Sequence, residues 1–354
     1  MAHPTRPHPP ALTRFTTTLP WARQQELRHP AELPWLAVAV LTTLTVFIGS
    51  TALYLSGYRL EGLFQQGMVL ALGAPIFILL ARAYIYGQQR SKGVRVSPTQ
   101  FPDAYRMLAE ASLSAGMRRM PDAFVVSGNG VLNAFAAGHG HRRYVMLHSD
   151  MFEIGGETRD PDALRFVIGH EVGHLAAGHS SYWRQLLTTV FDQIPVLGPA
   201  LSRAQEYTAD NYGYAYCPQG AAGAIATMAA GKYLNHEVQA DEYVDRAVTD
   251  RSLFIWVVNL LGSHPILIWR GHALRHRDRA GSLFFAPRAG VGAQPSLPVP
   301  RTATADWADP AQALAFLDAH PQGEDVFGGV RVARRAEAIR PTPCLDGGHP
   351  ALTP

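Results

Sequence analysis

The chain has almost no lysine. Lys92 and Lys232 are the only two, and arginine carries nearly all of the positive charge. Charged residues are 17% of the 354 positions and the formal net charge is +3. So small an excess excludes a protein that works by neutralising nucleic acid, and no such partner is expected. Cysteine is equally scarce. Cys217 and Cys344 are the only two, and neither lies in a CxxC. That excludes a disulfide framework and a cysteine-based metal site. What is present is apolar: 47% of the residues are hydrophobic, as expected when membrane segments dilute an ordinary soluble domain.

Residues 1–33 are rich in proline, threonine and arginine and read as a disordered N-terminal segment. From Leu33 to Tyr58 there is no charged side chain, and Leu36 to Leu55 is about the length a helix needs to cross a bilayer. Arg59 and Glu61 break this run. Gly62 to Ala81 is a second uncharged run, closed by Arg82. Pro75 lies inside it, which a membrane helix tolerates better than a soluble one. Together the runs predict a two-helix transmembrane hairpin over 34–86. The first comes too late and runs too long for a cleavable signal. Arg6, Arg14, Arg23 and Arg28 precede the hairpin, only Arg59 interrupts it, and Arg82, Arg90, Lys92 and Arg95 follow it. That distribution places both ends, and the domain that follows, on the cytoplasmic side.

Residues 95–285 read as one mainly helical domain with a small β-sheet. A helix is expected from Ser97-Pro98 to Ser114, with Phe101, Tyr105, Leu108 and Leu113 towards the core. Strands are expected at Ala123–Ser127 and Arg143–His148. Asp160-Pro161 opens a helix, aspartate as cap and proline in the first turn. Ser181 to Leu201, with Pro195 and Pro199, reads as a loop or interfacial segment. Helices follow at Ser202–Tyr216 and Ala221–Leu234, then an apolar run at Leu253–Leu261. Residues 286–354 are rich in proline, glycine and alanine and read as a largely disordered tail.

The helix opened at Asp160 carries His170-Glu171-Val172-Gly173-His174. On a helix, positions i and i+4 share a face, so His170 and His174 can reach one metal ion, with Glu171 beside it. A zinc ion lowers the pKa of a bound water, and the glutamate can take its proton. A catalytic zinc needs a third protein ligand. His179 lies five residues past His174, off the face of a continuous helix. Glu206 is the better candidate, because Asp210 follows it at i+4 and can hold a ligand imidazole by its outer nitrogen.

With these motifs the chain resembles the HtpX-like and CAAX prenyl endopeptidase-like membrane zinc metallopeptidases, a gluzincin type, over about Val96 to Arg270. Four elements carry the likeness in order. They are Asn133-Ala134-Phe135-Ala136, the HExxH at 170–174, Ser202-Arg203 with Glu206 and Ala209-Asp210, and Ser263-His264-Pro265 with Arg270. The resemblance implies an α+β zincin-like domain holding one Zn2+ per chain on His170, His174 and Glu206, with Glu171 as general base. It implies that Asn133 to Ala136 form an edge strand binding substrate backbone, and that His264 and Arg270 lie near the oxyanion or steady the site. It further implies a metalloendopeptidase of the bacterial plasma membrane acting on membrane or misfolded proteins. The rivals are an inactive metal-binding scaffold and an interaction protein working through its tails. Compared with the HtpX pattern, Ser181–Leu201 is too polar to supply further membrane spans.

Overall fold

The computed structural model describes residues 19–57, 62–130, 133–139, 142–152 and 160–288. The expected tail from 289 onward and the first 18 residues lie outside them. The helices are α1 (Trp21–Leu27), α2 (Glu32–Leu55), α3 (Leu63–Lys92), α4 (Pro102–Ser114), α5 (Pro161–Ala176), α6 (Tyr182–Thr188), α7 (Leu197–Tyr216), α8 (Gly220–Leu234), α9 (Ala240–Thr249), α10 (Leu253–Leu261) and α11 (Leu267–Arg275). Four strands, β1 (Val94–Arg95), β2 (Asp122–Val126), β3 (Ala134–His139) and β4 (Arg142–His148), form one mixed sheet in the order β1-β2-β4-β3. The fold is mainly helical with a small sheet, as the sequence predicts.

β2 runs parallel to β4, and β3 pairs antiparallel with β4 through Ala134–Leu147 to His139–Arg142. The alternation of the strands explains the layers. Ala123, Val125, Val145 and Leu147 face a core shared with α4 and α5. Phe124, Tyr144 and Met146 face the other way, towards Tyr86 of α3. The last turns of α3 therefore pack with the sheet as part of the domain that follows. β3 is the outer strand of the sheet, beside the cleft.

α4 begins at Pro102, because Ser97 to Gln100 closes on itself as a tight turn. Its buried side is Ala104, Met107, Leu108 and Ala111. Phe101 and Tyr105 pack partly against that core, but Leu113 points outward and is 68% exposed. α5 starts as expected: Asp160 Oδ1 accepts from the Ala163 amide at 2.9 Å. It lies directly on α7. A Cβ on Gly173 would come 2.5 Å from the Cβ of Tyr212, and one on Gly213 would come 2.9 Å from the Phe166 carbonyl. Only hydrogen fits at either contact.

Three expectations need correction. Residues 19–33 are not an unstructured lead: α1 forms there, and Leu27, His29 and Glu32 are buried against the domain that follows. Ser181–Leu201 is not a plain loop: α6 lies within it and docks on α3, Tyr182 Oη donating to the Pro75 carbonyl at 2.9 Å. α7 begins at Leu197, before Pro199, because the first-turn amides of a helix have no intrahelical partner to lose. Among the described residues, α2 is the helix long and apolar enough to cross a membrane, with 11% of its most apolar window buried. α3 does not meet that measure, so the second span remains an expectation.

Candidate metal centre

α5 brings His170 and His174 to one face, and α7 brings Glu206 opposite them. His170 Nε2 lies 3.1 Å from His174 Nε2 and 3.5 Å from Glu206 Oε2, and His174 Nε2 lies 3.3 Å from Glu206 Oε1. A tetrahedral zinc with bonds of about 2.0–2.1 Å needs donors roughly 3.3–3.4 Å apart. The three side chains therefore present metal-type atoms at metal-type spacing, all within 4.8 Å of one another. The outer nitrogens are engaged elsewhere. His170 Nδ1 is 2.9 Å from Asp210 Oδ1, and His174 Nδ1 is 2.8 Å from His179 Nδ1. With Nδ1 occupied on each ring, Nε2 is left to face the common point. The donor set fits zinc.

The electrostatics agree. Burial disfavours the ionised form of Glu206, but the two imidazoles outweigh it and hold the carboxyl well below its usual value. Burial would likewise raise Asp210, yet Arg270 and His170 bring it down to about 2. Two buried carboxylates thus stay ionised. Burial alone would lower His170, but hydrogen bonds to Asp210 and Glu206 lift it to about 10. A cavity that draws positive charge this strongly suits a cation. Burial pushes His179 the other way, to about 3, leaving that ring neutral.

Glu171 is different. It is buried and lines the cavity, and its carboxylate makes no hydrogen bond to a described residue. Burial lifts its pKa above the usual carboxylate value, more than His170 and His174 pull it down. A buried carboxylate next to the donor triad, with no hydrogen bond to a described residue, is placed to exchange a proton with water.

Arg270 from α11 crosses behind the triad. Its Nε and Nη2 donate to Asp210 at 2.9 and 2.6 Å, and its Nη1 lies 3.6 Å from Glu206 Oε2. This fork engages the two carboxylates. His264 stands at the mouth, 65% exposed at the side chain, with Nε2 3.3 Å from Glu206 Oε1. The turn that carries it is fixed by Arg203, wholly buried in α7. Its Nη1 donates to the carbonyls of Asn259, Leu260 and Gly262 at 2.8–2.9 Å, closing the end of α10. Sequence reasoning quoted Arg203 only as part of a motif. Asn133, Ala134, Phe135 and Ala136 line the same cavity, of about 330 Å³, as His170, Glu171, His174, Glu206, His264 and Arg270. All the residues singled out from the sequence thus meet at one cleft except Asp210, which lies directly behind it. Glu32 was missed, and His179 was weighed only as a ligand.

A helix bearing HExxH, a glutamate from the next long helix and a small sheet with its edge strand at the cleft define a metallopeptidase domain. The chain belongs to peptidase family M48, whose members are zinc metallopeptidases: the family model matches residues 98–185 and 182–278, together just over half of the chain. Comparison with curated proteins and with solved structures gave no match.

Proposed function

We propose that this protein is a membrane-anchored zinc endopeptidase of the HtpX-like kind, cleaving membrane or misfolded proteins on the cytoplasmic side of a bacterial plasma membrane. The observation that carries the catalytic reading is the donor triad at tetrahedral spacing beside the buried Glu171, whose carboxylate has no hydrogen bond to a described residue. His170, His174 and Glu206 hold the ion. A zinc ion there supplies Lewis acidity, activating water and polarising the scissile carbonyl. An extended peptide adds by backbone pairing at Asn133 to Ala136, along β3, the outermost strand among the described residues, so sequence preference is loose. Glu171 accepts the proton of the attacking water and returns it to the departing amine. His264 at the mouth can donate to the oxygen on which charge develops. Arg270 and Asp210 keep Glu206 and His170 in place.

The anchoring rests on α2, whose outward side chains include Leu41 at 65%, Ile48 at 68% and Leu55 at 77% exposure. An uncharged face of that kind suits lipid. The orientation rests on the arginines flanking the hairpin.

The test is casein hydrolysis by the detergent-purified parent beside Glu171→Gln, with zinc quantified in both. The expected result is one zinc per chain in each and loss of activity in the variant by at least the roughly 10²–10⁴-fold that a general base contributes. Zinc without activity in either protein would favour a scaffold, and no zinc in the parent would overturn the reading.

A further inference from the structure

The end of α5 returns a third imidazole to the centre from behind. The helix stops at Ala176, and Gly178, at φ 80°, reverses the chain. The Gly178 amide donates to the Leu175 carbonyl at 3.2 Å and the His179 amide to the His174 carbonyl at 2.9 Å. This is a Schellman closure, in which the residue after the glycine is brought back over the third residue from the helix end. Here those two residues are His179 and His174. The motif usually joins two apolar side chains; in this protein it joins two imidazoles, with ring centroids 5.0 Å apart.

Behind His179 stands Glu32, the first residue of α2, with no exposed surface. His179 Nε2 lies 3.2 Å from Glu32 Oε1. The same carboxylate accepts from Arg28 Nη1 at 2.5 Å, Arg184 Nη2 at 2.8 Å and Thr208 Oγ1 at 2.5 Å. Arg28 also donates to the Ala177 carbonyl at 2.8 Å, tying the α1–α2 junction to the end of α5. The donors therefore run one way. A carboxylate only accepts, so His179 Nε2 carries the hydrogen. His179 Nδ1 then has the lone pair, and His174 Nδ1 must donate to it. That leaves the lone pair of His174 Nε2 pointing at the triad. Asp210 does the same for His170 in one step.

We infer that Glu32 and His179 are positioning residues of the metal centre: a carboxylate at the foot of α2 fixes, through His179, the tautomer and ring direction of His174. The inference rests on His174 being a zinc ligand. It makes the N-terminal segment a working part of the catalytic domain.

The test uses full-length protein in detergent. Because Glu32→Ala leaves Arg28 and Arg184 buried without their carboxylate, the decisive pair is His179→Ala and His179→Asn. Asparagine puts Oδ1 near the place of the imidazole Nδ1 and can still accept from His174. Zinc affinity is measured by competition with a chromogenic chelator, the visible spectrum of the cobalt-substituted protein is recorded, and the apo forms are melted. Losing an outer partner of a ligand histidine typically weakens metal binding about 10–100-fold. His179→Ala is expected to fall in that range with an altered cobalt spectrum, and His179→Asn to recover most of the affinity. A parent with one tightly held zinc, and both variants binding it equally well, would overturn the inference while leaving the metal centre intact. So would equal loss in both variants that merely tracks lower apo melting temperatures. A parent that binds no zinc would remove the metal centre itself.

Discussion

α2 and α5 reverse the usual relation between composition and burial. α5 carries two histidines and a glutamate in its middle, yet eleven of its sixteen residues are buried. α2 has a single charged residue in 24, yet only Glu32, Ala39 and Thr43 are buried. The one charge of α2 is fully enclosed, and most of its apolar remainder faces outward. Burial inside the protein therefore follows available partners. His170 and His174 are enclosed because Asp210 and His179 meet their rings, and Glu32 because two guanidinium groups meet it. The outward face of α2 is exposed among the described residues, and its apolar side chains suit lipid.

The comparison can be broken most forcefully at Arg270. Arg270→Ala leaves the buried Asp210 and Glu206 without their shared cation, and should cost about 3–5 kcal/mol in denaturant unfolding of the apo protein. A loss below 1 kcal/mol would mean that the enclosed charges are not held by partners. The reciprocal change is on α2. Leu41→Arg puts a charge on the outward face, and should cost about 2.5–3.5 kcal/mol of membrane insertion. That would appear as release from membranes on alkaline extraction, with the catalytic domain still folded. Retention in the membrane would argue against α2 as a span.

Two glycines sharpen the contrast. Gly173→Ala drives a methyl into Tyr212 and should destabilise by about 1–3 kcal/mol, read as a lower urea midpoint. Gly49→Ala in α2 meets nothing within 4 Å and should leave that midpoint unchanged within about 0.5 kcal/mol. The smallest effect is expected at Leu113→Ser, on the outward side of α4, again within about 0.5 kcal/mol by thermal melting.

The legible parts of the site were those governed by local rules. Two histidines at i and i+4, a glutamate and aspartate at i and i+4, and an aspartate–proline helix start all act within one turn. β2 and β4 were expected to within one residue at each end, β3 came only through the resemblance, and β1 was not expected. What escaped was non-local. Glu32 meets His179, Arg184 and Thr208 across 147, 152 and 176 residues, and its local partner Arg28, four residues before it, gives no sign of them. His179 was set aside because a continuous helix would point it away, whereas Gly178 ends the helix and turns it back. Leu113 was assigned inward as part of an amphipathic pattern, whereas the buried face runs through Ala104, Met107, Leu108 and Ala111 and leaves it outside.

Glu32 is at once the first residue of the apolar helix and a buried member of the catalytic domain, so no slack joins the two. In an anchored protein this makes the centre a fixed gauge of depth. A substrate held in the same bilayer would present its scissile bond at a set height, and in an extended strand height converts to residues at about 3.3 Å each. Cleavage would then be registered by distance from the substrate's own membrane segment, with side-chain identity a secondary influence.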